Sequence, residues 1–206
     1  MTFDYLREPA RIYQQSFAII RAEADLSWLP EEDQPLAVRM IHACGMVDIE
    51  ADMAITPGAR AAGQRALRQG RPVIVDATML ARGLIDRASL NLVSCIESED
   101  AAMLAAQMQT TRSAAAVELW RPYLDGAVVA IGNAPTALFR LLEILLEPEP
   151  PQPALLIATP VGFVGAAEAK AALLDAQLSV PLVTVLGRRG GTAMAAAAVN
   201  ALTQDG

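Results

Sequence analysis

The sequence predicts an α/β protein, a three-layer α/β/α sandwich around a mostly parallel, Rossmann-like five-stranded sheet. Three observations carry this expectation. From residue 71 onward, short and nearly unbroken apolar runs recur, as in strands covered on both faces. Between them lie Ala- and Leu-rich segments of helical length, and that alternation belongs to parallel sheets with right-handed crossovers. The 206 residues are 53% hydrophobic and only 19% charged, enough apolar surface for one substantial core and incompatible with a disordered chain.

The elements follow in order. Tyr13, Phe17, Ile20 and Ala24 fall at i, i+4, i+7 and i+11, one apolar stripe of a helix that Pro30 should end. A second helix is expected to start at Asp33-Gln34-Pro35, with the acid as its cap and the proline in its first turn. Leu36, Met40 and Ala43 form its inner face, and Gly45 stops it. The five strands are expected at 72–77 (PVIVDA), 91–97 (NLVSCIE), 127–131 (AVVAI), 154–158 (ALLIA) and 182–186 (LVTVL). Helices are expected at 114–124, 136–147, 166–177 and 192–202. The Pro-rich stretch 147–153 (EPEPPQP) is a stiff connection inside one domain. The whole chain, 1–206, is therefore read as a single domain, helical over about 9–70 and sheet with helices over about 71–203.

Composition excludes several function classes. A net charge of −7, no basic run and 4% aromatics argue against a nucleic-acid partner. The N-terminal residues carry Asp4, Arg7 and Glu8 with no apolar signal core, and no apolar stretch is long enough for a membrane span, so a soluble protein is expected. Two cysteines, Cys44 and Cys95, make no disulfide framework and point to a reducing cytoplasm. His42 is the single histidine, which rules out a multi-histidine metal site. Lys170 is the single lysine beside fifteen arginines, so Schiff-base chemistry would depend on it alone.

In open parallel sheets, ligands bind beyond the carboxyl ends of the strands. Small and polar residues stand at three such points: 132–136 (GNAPT), 160–165 (PVGFVG) and 187–191 (GRRGG). Glycines there allow a close ligand, although they also serve as plain punctuation. No G-x-G-x-x-G follows the first strand and no P-loop occurs, which disfavours a dinucleotide or ATP site. Arg39 falls on the second helix, Arg112 before a helix start and Arg188 and Arg189 in the last glycine turn, where guanidinium forks suit an anionic ligand or pair with nearby acids. Asp48, Glu50 and Asp52 read as a solvated turn rather than a metal site.

His42 is the sharpest single residue. Helical spacing sets it beside Arg39, at i and i+3, and leaves both a packing role and a proton-transfer role open. No G-x-S-x-G elbow occurs, and Ser113 has no second histidine to activate it. Cys44 faces away from His42 on the same helix.

Six stretches, in order along the chain, resemble one family. They are 12–26 (IYQQSFAIIRAEADL), 37–48 (AVRMIHACGMVD), 111–116 (TRSAAA), 126–139 (GAVVAIGNAPTALF), 160–170 (PVGFVGAAEAK) and 187–202 (GRRGGTAMAAAAVNAL). The combination of SF-x-x-IR-x-E, RMIHACG and VAIGNAPTA is similar to the precorrin-8X methylmutases of cobalamin biosynthesis. The resemblance implies a cofactor-free isomerase that moves a methyl group from C-11 to C-12 of a tetrapyrrole, turning precorrin-8X into hydrogenobyrinate. It implies His42 as the catalytic proton donor or shuttle, Ser16 and Arg39 as substrate-binding residues and, by looser analogy, Arg112, Ser113 and Asn133 at the substrate's periphery. It further implies a homodimer with active sites near the subunit interface. The HACGM stretch looks like the aerobic, metal-free branch; cobalt-precorrin-8 methylmutase, or a tetrapyrrole carrier without catalysis, is the alternative. Two departures stand out: VDATM (75–79) has Thr78 where the family has an acid, and the connection 82–93 is short, with Ile85 in place of a threonine.

Overall fold

The computed structural model describes residues 2–203. Helix α1 (Pro9–Glu23) and helix α2 (Gln34–Cys44) come first, followed by a 3-10 turn at Val47–Asp52. Strand β1 (Met53–Ile55) precedes α3 (Ala59–Arg68), then β2 (Val73–Val75), α4 (Thr78–Gly83) and β3 (Leu92–Val93). After α5 (Glu99–Gln107) and α6 (Arg112–Glu118) the chain alternates regularly: β4 (Val128–Ile131), α7 (Pro135–Leu145), β5 (Leu155–Ala158), α8 (Ala166–Asp175), β6 (Leu182–Val185) and α9 (Thr192–Thr203).

The sheet has six strands in the order β1-β6-β5-β4-β2-β3, which corrects the expected five. All neighbours are parallel except β1, which runs antiparallel to β6 with Ala54 opposite Thr184. The extra strand is three residues long, below the length at which an alternating pattern can be read. At the opposite edge the expected strand 91–97 shrinks to Leu92–Val93, paired on one side only.

Side-chain alternation splits the core cleanly. Val73, Val75, Val128, Ala130, Leu155 and Ile157 point to one face, where they meet α2, α3, α4 and α9. Ile74, Val129, Ile131, Leu156 and Ala158 point to the other, covered by residues of α6, α7 and α8. Both faces are dry, which is why these strands read as continuous apolar runs.

Helix α9 lies next to the sheet on the first face. Ala195, Ala196, Ala198 and Ala201 are buried, and these small side chains let α2 and α4 pack closely upon it. Helix α1 sits outermost, on α2, with Ile20 its only buried residue. It ends at Glu23, seven residues before the proline expected to stop it. The expected helix 114–124 also divides, into α6 and a 3-10 turn at Arg121–Tyr123, because Pro122 has no N–H to continue the α-helical ladder to the Glu118 carbonyl.

Asp33 corrects another expectation. Its carboxylate makes no cap for α2. It accepts N–H bonds from Gly58 (2.6 Å) and Arg60 (2.8 Å) and so closes the N-terminus of α3 instead. Gly58 has φ +82°, a left-handed conformation that glycine adopts without strain.

Candidate functional site

Helices α1 and α2 cross with His42 at their contact. Its half-buried imidazole meets three side chains of α1. The Tyr13 ring lies 5.3 Å away between centroids, tilted by 37°, and the Phe17 ring presents its edge at 5.3 Å and 89°. Ser16 Oγ stands 2.8 Å from Nδ1. The stripe expected of α1 thus faces the histidine, and Ser16 beside it supplies the polar contact. On α2, one turn back from His42, the Arg39 guanidinium lies over the Phe17 ring at 5.4 Å. Burial lowers its pKa from the usual arginine value, an effect partly offset by Tyr13.

Two clefts open on either side of this group, and His42 lines both. The larger, about 410 Å³, is walled by Ile12, Ser16, Ile19, Ile41, His42 and Val47 among others. The smaller, about 270 Å³, runs between Tyr13, Arg39, His42, Ile85, Ala197 and Asn200. The surroundings are mainly apolar, with one imidazole and one guanidinium. Such a site can hold a broad apolar ligand with acidic substituents and exchange a proton with it.

The structure therefore brings together Ser16, Arg39 and His42. Arg112, Ser113 and Asn133 line neither cleft. Arg112 and Ser113 open α6, whose N-cap Thr111 accepts the Ala114 N–H at 3.1 Å, and Arg112 is exposed. Asn133 is also exposed and lies in the turn after β4. That turn does approach the site: a Cβ on Gly132 would fall 2.8 Å from Thr192 Cα, and Ala193, the next residue of α9, lines the smaller cleft.

Asp76, a residue without a signal in the sequence, holds the same turn. It is 2% exposed and accepts backbone N–H bonds from Gly132 (2.9 Å), Asn133 (2.9 Å) and Ala134 (2.8 Å). Burial pushes its carboxyl pKa up, while the three N–H donors pull it down. Asn200 is similarly hidden from sequence reasoning. Its amide donates to the Gly83 carbonyl (3.1 Å) and accepts from the Ile85 N–H (3.0 Å), tying the segment after α4 to α9.

At the last glycine turn, of the two readings left open for its arginines, Arg189 takes the pairing with nearby acids. It is engaged by Asp48 and Asp52, each at 2.5 Å, so two of the three carboxylates weighed for a metal serve this arginine. Among the described residues no group of three or more metal-ligating side chains gathers. Arg188 lies over the Phe163 ring at 5.4 Å. Lys170 is fully buried and donates from Nζ to the Arg189 carbonyl at 2.6 Å, with burial pushing its amine down to about 8. No helix among the described residues is long and apolar enough to cross a membrane.

The family model described as precorrin-8X methylmutase matches residues 11–205. A precorrin-8X methylmutase from Pseudomonas aeruginosa is 54% identical over 98% of this chain and 98% of its own length. One from a Sinorhizobium species is 50% identical over 99% and 98%. The crystal structure of a precorrin-8X methyl mutase from Thermus thermophilus superimposes with a TM-score of 0.83 at 35% identity, covering 94% of each chain. With fold and sequence in agreement along nearly its whole length, this chain belongs to the precorrin-8X methylmutase family and is an isomerase of cobalamin biosynthesis.

Proposed function

We propose that the protein converts precorrin-8X to hydrogenobyrinate by moving a methyl group from C-11 to C-12 of the ring, with His42 as proton donor and shuttle. The observation that carries this reading is the Ser16–His42 hydrogen bond, set where two apolar clefts meet. A methyl migration within one molecule consumes and releases nothing. The protein's work is to bind the ring, exclude water and choose where its mobile proton resides. The serine hydroxyl can donate to Nδ1 or accept from it, so it serves either imidazole tautomer. With Nδ1 engaged, Nε2 is the nitrogen left to give a proton to a ring nitrogen and to take it back.

Arg39 anchors a substrate carboxylate on the same face of α2. Arg112, Ser113 and Asn133 are assigned to the outer acidic groups, a role supported for Asn133 by the packing of the Gly132 turn against the start of α9. The metal-free substrate is favoured because the relatives from Pseudomonas aeruginosa and Sinorhizobium, 54% and 50% identical, carry its name, whereas the cobalt-precorrin-8 methylmutase from Priestia megaterium is 35% identical. The protein is proposed to work as a cytoplasmic homodimer. Half-exposed Ile12, Tyr13 and Ile19 on α1 support the dimer, and the free thiols Cys44 and Cys95 support the reducing compartment.

The test is to mix purified protein with precorrin-8X and follow the absorption spectrum. Wild type should form product, and His42→Ala should lose about 10²–10⁴-fold in turnover while holding hydrogenobyrinate nearly as tightly. Pigment bound by wild type without conversion, or full turnover by His42→Ala, would overturn the assignment.

A further inference from the structure

We infer that the end of α4 and the segment joining it to β3 form an anion subsite of the same active site. In this view Arg82 and Arg87 take peripheral carboxylates of the bound tetrapyrrole, and Asn200 is the residue that positions them. The inference rests on the assignment of the His42 cleft to the substrate.

A third cleft, about 380 Å³, is lined by Arg82, Leu84, Ile85, Asp86, Arg87 and Ala88. Ile85, which is 60% exposed, is also a wall of the cleft that holds Arg39 and His42, so the two hollows adjoin. Among the described residues neither the Arg82 nor the Arg87 side chain has an ion pair, a hydrogen bond or a ring contact. The acid between them is already engaged, because Asp86 Oδ2 accepts the Ser89 hydroxyl at 2.7 Å. Two uncommitted guanidinium forks beside an apolar cleft suit a ligand whose flat ring bears carboxylates at its rim.

The segment is held rigidly. The Asn200 amide spans the Gly83 carbonyl and the Ile85 N–H, and the side chain is 7% exposed. Gly83 sits so close to α9 that a Cβ there would come within 2.9 Å of Ala196 Cβ. The bend is therefore pinned to the helix that carries the other wall of the His42 cleft, and Arg82 and Arg87 flank it.

The experiment titrates hydrogenobyrinate, and hydrogenobyrinate with its carboxylates methyl-esterified, into wild type and into Arg82→Gln/Arg87→Gln. The double variant should bind the acid about tenfold more weakly and show a matching rise in KM with kcat within about twofold, while the ester distinguishes little between the proteins. Unchanged binding of the acid, or equal weakening for acid and ester, overturns the subsite. Asn200→Asp keeps the acceptor for Ile85 and loses the donor to Gly83. It should weaken acid binding in wild type and have a smaller effect once both arginines are gone; additive losses overturn its positioning role. His42→Ala run alongside separates the two ideas, since turnover by that variant rejects the parent reading whatever the arginines do.

Discussion

Ser16 Oγ lies 2.8 Å from Nδ1 of His42, a contact between two helices whose partners are 26 positions apart in the chain. The serine fixes the orientation of the imidazole and the nitrogen left for chemistry. Ser16→Ala should lower kcat about tenfold with little change in KM, because the ring stays packed between Tyr13 and Phe17 but loses its polar restraint. Steady-state absorption assays decide it; an unchanged kcat removes the serine from the mechanism.

Arg39 is expected to act on binding rather than on the proton. Its guanidinium is held over Phe17 beside the smaller cleft. Arg39→Ala should weaken product binding about tenfold, and Arg39→Lys should recover only part of that, since an ammonium lacks the planar fork. A product titration that cannot tell Arg39→Ala from wild type contradicts the anchoring role.

Asp76 predicts a stability effect away from the reaction. Asn at this position keeps one carbonyl oxygen and turns an NH₂ group toward the N–H donors of the turn that follows β4. Asp76→Asn should cost about 2–4 kcal/mol in urea unfolding. A loss under ~0.5 kcal/mol would show that the turn holds without this carboxylate.

Lys170 predicts a pH dependence. Between its folded value of about 8 and the ordinary 10.5, the unfolded chain holds a proton that the folded protein has released. The unfolded state thus binds more protons in this window, and stability from this group rises with pH. Below pH 8 the folded protein carries a buried ammonium at the full cost of its desolvation. Thermal unfolding of wild type compared with Lys170→Met from pH 8 to 10.5 should show the wild type gaining relative stability. A flat difference would mean that this amine keeps its ordinary affinity for protons.

Much of the architecture was written locally. Strands β4 and β5 are visible because they are dry on both faces, and α2 is bounded by its own Pro35 and Gly45, the latter at φ +67°. Helix α5 could also have been found, from Ser98 followed by Glu99 and Asp100: Ser98 does cap it, accepting the Ala101 N–H at 3.1 Å. Strand β1 could not, since three residues become a strand only when β6 comes alongside.

The same division runs through the site. Residue type and spacing along the chain single out His42, its neighbour Arg39 and the family motifs, because helical periodicity and chemistry belong to short stretches. Which partner each polar group finds belongs to the fold. Asp33 caps α3 rather than α2, Arg189 turns to Asp48 and Asp52 more than 130 positions away, and Ser16 reaches His42 only because α1 packs on α2. Such pairings are set by burial of distant apolar faces against one another, and no local pattern records them.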